Sequence, residues 1–192
     1  AYDQAHLEPA PPGTEGRGYC ALVLNYRQWE GTRDCVASLF ASQVRPQCVV
    51  VCDNGSGDDS IERLVEWAQS SGSDSPRSFR LLTQSEAEGV APGQEFYSEE
   101  LLLVRNTINL GYAGGNNVGL RLLLRSGTAF IWLLNNDTVV LPAAAGALLA
   151  HMRANTRCGL CGALTRYLDY PDVVQCYGGG WYNACWGRGG LH

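Results

Sequence analysis

The sequence predicts an α/β fold, an open, mostly parallel sheet flanked by helices. Three observations carry that expectation. Short apolar runs recur at 19–24, 48–52, 101–104 and 130–134, segments with helical spacing separate them, and polar turns rich in Asn, Asp or Gly follow the runs. Unbroken apolar runs of this length read as strands covered on both faces, and strand–helix alternation is the signature of parallel βαβ units.

Residues 1–18, with Pro9, Pro11, Pro12 and three glycines, show no period and read as a flexible tail. Residues 19–26 read as the first strand, ending at Asn25. A helix follows, with Thr32 placed to cap it and Val36, Leu39 and Phe40 on one face. Residues 48–52 form the second strand, Asp53-Asn54-Gly55-Ser56 its turn, and Asp58, Asp59 and Ser60 are suited to cap a second helix carrying Ile61, Leu64, Val65 and Ala68. Residues 70–98 break the rhythm and read as a strand at 79–82 within a mobile insertion. Residues 101–104 resume the sheet, and 106–119 read as a Gly/Asn-rich loop leading into a Leu-rich helix. The run at 130–134 reads as a central strand buried on both faces. Pro142 then opens an Ala-rich helix to about Asn155, Pro being tolerated in a first turn.

Composition narrows the function. The formal net charge is −5, all 14 basic residues are Arg, and no basic stripe is interleaved with aromatics, so nucleic acid is not an expected partner. No run approaches the roughly 18 apolar residues of a membrane span. An acidic protein that binds a phosphorylated ligand must draw positive potential from metal ions, helix N-termini or Arg. His6, His151 and His192 are scattered, and no Ser/His/Asp or Cys/His arrangement for covalent hydrolysis can be assembled. Of the eight cysteines, Cys20, Cys35, Cys48 and Cys52 sit in apolar segments as small hydrophobes. Cys158, Cys161, Cys176 and Cys185 invite a zinc reading, although residues 158–164 also read as a Gly-rich buried strand.

Three polar turns follow three strands: Asp53-Asn54-Gly55-Ser56, the segment 109–119, and Asn135-Asn136-Asp137. Parallel strands bring such turns to one edge, where open α/β sheets bind ligands. Asp53 is suited to accept from a base N–H or a sugar hydroxyl, or to hold an Asx turn. The glycines of 109–119 let backbone approach a ligand. Their spacing is neither a dinucleotide fingerprint nor a P-loop. A carboxylate at Asp137 suits a hard divalent cation.

Taken in order, strand-Asp53-Asn54-Gly55-Ser56, Asn109-x-Gly111-Tyr112-Ala113-Gly114-Gly115-Asn116-Asn117-x-Gly119 and Leu134-Asn135-Asn136-Asp137 resemble the family 2 glycosyltransferases of GT-A (Rossmann-like) fold. Within that family they are similar to the bacterial rhamnosyltransferase-like group that builds surface polysaccharides. The likeness covers roughly residues 19–181. It implies transfer, with inversion, of a sugar from a dTDP- or UDP-sugar donor, rhamnose being one candidate, to a saccharide or lipid-linked acceptor hydroxyl. Asp53 would contact the base with backbone around Asn25 and Tyr26. The segment from Gly111 to Asn117 would close around base and ribose. Asn135-Asn136-Asp137 would stand where the family has Asp-x-Asp, with Asp137 as ligand to Mg²⁺ or Mn²⁺ and Asn135 replacing the first carboxylate. The resemblance also implies a cytoplasmic location, at the inner face of the membrane if regions outside these residues attach peripherally.

The family's general base sits in an acceptor-side segment commonly marked by a Glu-Asp pair. Residues 182–192 hold no such pair, and Asp169 and Asp172 read as turn residues around Pro171. The base is therefore expected downstream of residue 192, with 182–192 a tail or the truncated start of the acceptor region. The alternative is a non-catalytic nucleotide-sugar-binding module or an inactive fragment. A sugar-1-phosphate nucleotidylyltransferase uses a similar sheet but carries a Gly-rich basic loop after its first strand, which Asn25-Tyr26-Arg27-Gln28-Trp29 does not resemble.

Overall fold

A computed structural model describes residues 18–70, 75–93, 96, 99–178, 180–183 and 188–191. The proposed tail at 1–17, parts of the 70–98 insertion, and Cys185 with its neighbours lie outside the described residues. The chain divides into two compact units, one ending at Ala143 and one formed by residues 144–192.

The first unit is a parallel sheet of five strands with four helices. In chain order these are β1 (Tyr19–Asn25), α1 (Trp29–Phe40), β2 (Cys48–Asp53), α2 (Ser60–Gln69), β3 (Ser78–Thr83), α3 (Gln84–Glu88), β4 (Glu100–Arg105), α4 (Gly111–Arg125) and β5 (Phe130–Asn135). The sheet order is β3-β4-β2-β1-β5, every pairing parallel. Side chains alternate between the faces of a strand. Cys20, Leu22, Leu24, Cys48, Val50, Cys52, Leu102 and Val104 therefore share one core with Ala87 of α3 and Val118, Leu122 and Leu123 of α4. The intervening residues face the layer of α1, which packs on β1 and α2, and α2, which packs on β3 and β4. That layer brings buried Val36, Leu39, Phe40, Ile61 and Leu64 to the sheet.

Several expectations are corrected here. The run at 130–134 is not a central strand: β5 pairs with β1 alone among the described residues and forms an edge. Only Leu134 in it is buried, while Leu133 is 42% exposed and Trp132 lies half-buried against Tyr19, ring centroids 6.0 Å apart. Thr32 does not cap α1, which begins three residues earlier at Trp29. Asp58 takes the amide of Ser60 at 3.0 Å, whereas Asp59 turns to Arg63. The 70–98 stretch contains β3 and a short helix, α3, fixed by a reciprocal Thr83/Glu86 capping box.

The segment 111–117 is no loop. It is the first two turns of α4. Glycine is a poor helix former, by about 1 kcal/mol relative to Ala. Close approach to the sheet explains its use: a Cβ on Gly115 would stand 2.6 Å from Leu24 Cδ1 and 2.8 Å from Asn54 Oδ1, and one on Gly119 2.4 Å from Leu22 Cδ1.

The second unit holds α5 (Ala144–Ala154) and two antiparallel pairs, β6 (Leu164–Arg166) with β7 (Val174–Tyr177) and β8 (Gly180–Asn183) with β9 (Arg188–Leu191). Residues 158–163 are not a buried strand. Leu160 is 94% exposed, Cys161 is exposed, and Cys158 and Cys176 are half-buried. The reason is local: no third strand joins β6 and β7 to cover them among the described residues. Asp169 and Asp172 lie in the exposed turn between β6 and β7, where Arg166 donates to the Pro171 carbonyl at 3.0 Å. Among the described residues, no helix is long and apolar enough to cross a membrane.

Candidate functional site

The strand order places a topological switch between β1 and β5. The chain leaves β1 through α1 toward β2, then returns from β4 through α4 to pair β5 on the other flank of β1. Because α1 and α4 cover opposite faces, the carboxyl ends of β1 and β5 lie where the two helix layers part. Open α/β sheets bind ligands at such a point. Register brings Asn25 beside Asp53 and Leu24 beside Asn135 at this edge.

On the α1 face lies a buried polar network. Asn25 donates to Asp53 Oδ1 at 2.7 Å and its amide oxygen accepts the Thr32 hydroxyl at 2.7 Å. The Ser56 hydroxyl donates to Asp53 Oδ1, and the Ser56 amide to Oδ2 at 3.2 Å. Asn136 donates to the Thr32 hydroxyl at 3.1 Å, tying the turn after β5 to α1. Asn25, Thr32, Asp53 and Ser56 are all buried. Asp53 thus receives three protein hydrogen bonds and holds the Asp53–Ser56 turn. Tyr26 is exposed, its ring 5.0 Å beneath the Arg27 guanidinium.

On the α4 face the residues staple β2 to the start of α4. Asn54, 2% exposed, donates to Asn109 Oδ1 at 3.0 Å and to the Gly111 carbonyl at 3.2 Å, and accepts from the Leu110 amide at 3.0 Å. Asn109 accepts from the Gly111 amide at 2.8 Å. Asn116 is buried and donates to the Tyr112 carbonyl at 2.9 Å, Gly114 packs against Leu110, and Asn117 is exposed. The Tyr112 hydroxyl crosses to Asn135 Oδ1 at 3.1 Å, joining α4 to β5. Strand alternation therefore divides the sequence-derived set. Asn25 and Asp53 meet on one face, Asn54 and Asn135 on the other, and only their backbone ends share the edge.

Asp137 follows in the exposed turn, with no hydrogen bond or ion pair among the described residues. Asn135 Oδ1 keeps a second lone pair beside its bond from Tyr112. Asp137 is the carboxylate of this turn, and Mg²⁺ is commonly held by one or two carboxylates plus substrate phosphates. The turn does not make a closed protein cage: among the described residues, no three His, Cys, Asp or Glu side chains gather into a metal-holding group.

Behind this turn, Cys35 donates to the Asn135 carbonyl at 3.7 Å. Burial foremost, and the charge of Asp137, push its thiol up to about 12 from the ordinary 9.0. A raised folded-state value stabilises the protonated form, so this contribution is complete below pH 9 and lost as pH rises toward 12. The Cys35→Ala variant is expected to show a shallower fall in urea-unfolding free energy between pH 9 and 11 than the parent. Identical slopes would refute the assignment.

Comparison with family models and with curated proteins finds no match. Three residues of the edge take roles that the sequence reading does not give them. Thr32 and Ser56 bridge the network, and a small polar residue gives no pattern that separates bridge from cap. Asn106 is 2% exposed, donates its backbone amide to the Asp53 carbonyl, and has no side-chain hydrogen-bond partner among the described residues.

Proposed function

We propose that the chain carries the donor-binding half of an inverting, metal-assisted family 2 glycosyltransferase of GT-A fold, rhamnosyltransferase-like. It would take a dTDP- or UDP-sugar and deliver the sugar to a saccharide or lipid-linked acceptor hydroxyl. The observation that carries the reading is the Tyr112–Asn135 contact at the β1/β5 switch, next to an unengaged Asp137.

In this reading the base lies over the β2 end, and the diphosphate runs past the turn after β1 toward the β5 end. Asp53 keeps one acceptor direction for a base N–H while it fixes Asn25 and Ser56. Tyr112 and Asn135 flank the diphosphate side. Asp137, with Asn135, would hold Mg²⁺ or Mn²⁺, which when bound neutralises charge on the departing diphosphate. The acceptor oxygen bonds to the anomeric carbon as the bond to the diphosphate breaks, and the hydroxyl proton passes to a carboxylate base. None of the described residues is assigned as that base.

Binding stabilises the folded state by about 2.7 kcal/mol at about 100-fold excess over Kd. UDP or dTDP with Mn²⁺ is expected to raise Tm by roughly 5–10 °C in a domain of this size. The Asp137→Ala variant should keep the free protein's stability to within about 0.5 kcal/mol, the residue being exposed, yet lose most of the ligand shift. No shift with either nucleotide would sink the proposal. A second reading, nucleotide-sugar binding without turnover, draws on the single free carboxylate of this turn. Sugar release from a bound UDP- or dTDP-sugar would exclude it.

A further inference from the structure

We infer that Arg27 is the phosphate-reading residue of this edge, an inference that rests on the nucleotide-diphosphate reading above. Arg27 stands two residues beyond β1 with φ +58, in the left-handed region that side chains bearing a Cβ seldom adopt. Such conformations persist where surrounding structure over-determines them, and they concentrate at ligand sites.

Here the over-determination is visible. The Arg27 amide donates to Ser56 Oγ at 3.0 Å, and Nε donates to the Ser56 carbonyl at 2.9 Å. Ser56 is in turn bonded to buried Asp53. The strained backbone and the root of the guanidinium are thus both latched to the network under the site. The side chain lies over the exposed Tyr26 ring, and its two terminal nitrogens have no hydrogen-bond partner among the described residues.

Charge points the same way. Arg105 at the end of β4 is paired with Glu62, and Arg33 in α1 with Asp34. In the described turns that follow β1, β2, β4 and β5, Arg27 is the cation; it forms no ion pair among the described residues, while its charge, after the Ser60 hydrogen bonds, helps hold the Asp58 carboxyl below its usual range. A chain of net charge −5 needs positive potential wherever it holds a diphosphate. A fixed guanidinium fork supplies it in the geometry phosphate accepts, bidentate and always charged. With one carboxylate in the neighbouring turn, this arginine carries a larger share of phosphate binding than it would beside a two-carboxylate metal site.

The test is calorimetric binding of UDP, dTDP, uridine, thymidine and inorganic pyrophosphate at fixed Mg²⁺, for the parent and the Arg27→Gln, Arg27→Gly and Arg27→Lys variants. The Gln and Gly variants are expected to lose at least tenfold in affinity for UDP or dTDP and for pyrophosphate, with nucleoside binding unchanged. The Lys variant should fall between them and the parent. The Gly variant gives up the Nε bond to the Ser56 carbonyl but accepts φ +58 without strain, so it is expected to melt close to the parent, and a loss of affinity at an unchanged melting temperature cannot be assigned to unfolding. Gln and Gly variants that bind UDP and dTDP like the parent overturn the inference and leave the donor reading intact. Arg27-dependent pyrophosphate binding to which no nucleoside adds affinity supports Arg27 and overturns the nucleotide reading. Binding of none of the probes overturns both.

Discussion

Replacing Gly55 with alanine is expected to destabilise the sheet unit by roughly 2–5 kcal/mol, the sum of a left-handed backbone penalty and an overpacking penalty. Gly55 has φ +68, and a Cβ there would stand 2.4 Å from the Ile108 carbonyl carbon and 2.7 Å from the Asn109 nitrogen. These are backbone atoms, so no side-chain rotation relieves the contact. Either the turn after β2 or the segment before α4 must move, and Asn54, which joins them, would lose its bonds to Asn109 and Leu110. Gly57 supplies the control. It shares φ +68 but has nothing within 4 Å of its would-be Cβ. Gly57→Ala is therefore expected to cost only the backbone penalty, about 1–2 kcal/mol. Urea denaturation of both variants checks the pair, and equal losses would mean that the close approach to Ile108 carries no energy.

The Asp53→Ala variant is expected to lose about 2–4 kcal/mol. Three donors, the Asn25 amide, the Ser56 hydroxyl and the Ser56 N–H, would be left in a buried site without their acceptor. A buried donor left unmade costs about 1–3 kcal/mol, and relaxation of Ser56 toward solvent offsets part of the total. A double-mutant cycle with Asn25→Ala separates the pair from its surroundings. A coupling of about 0.5–3 kcal/mol is expected for residues in one network. Additivity within about 0.3 kcal/mol would show that Asp53 and Asn25 act separately. The contrast with Asp137 is the informative part. Two acids at one edge differ because one receives three bonds and the other none.

Much of the first unit is legible in the chain. The apolar runs give β1, β2, β4 and β5, and their polar sequels mark the carboxyl edge of the sheet; for β1, β2 and β4 the reason is that a strand buried between helices admits little but aliphatic side chains. Four features are not legible. The run at Phe130–Leu134 reads alike for a central or an edge strand, since Trp132 and Leu133 hide their partial exposure in an apolar string. Gly111 to Asn117 reads as loop because local propensity weighs against helix, while the reason for Gly115 and Gly119 lies on β1 and β2, far away in sequence. The helix α3 did leave a mark, Thr83-Gln-Ser-Glu86, obscured by the polar stretch around it. The division of the site residues between two faces could be had only from register, which parallel pairing does not write into any single strand.

That division has a consequence for how the molecule tolerates change. A strand pairs with period two, so displacement by one residue hands every side chain to the opposite layer. Deleting a single amino acid within β5 would turn Asn135 away from Tyr112 and put Asn136 in its place, at the cost of the Asn136 bond to Thr32 on the other face. The pairing with β1 could still form, and the unit could still fold. Length, more than composition, is what this rim guards at β5: point substitutions there adjust an interaction, whereas an indel exchanges the two sides of the cleft.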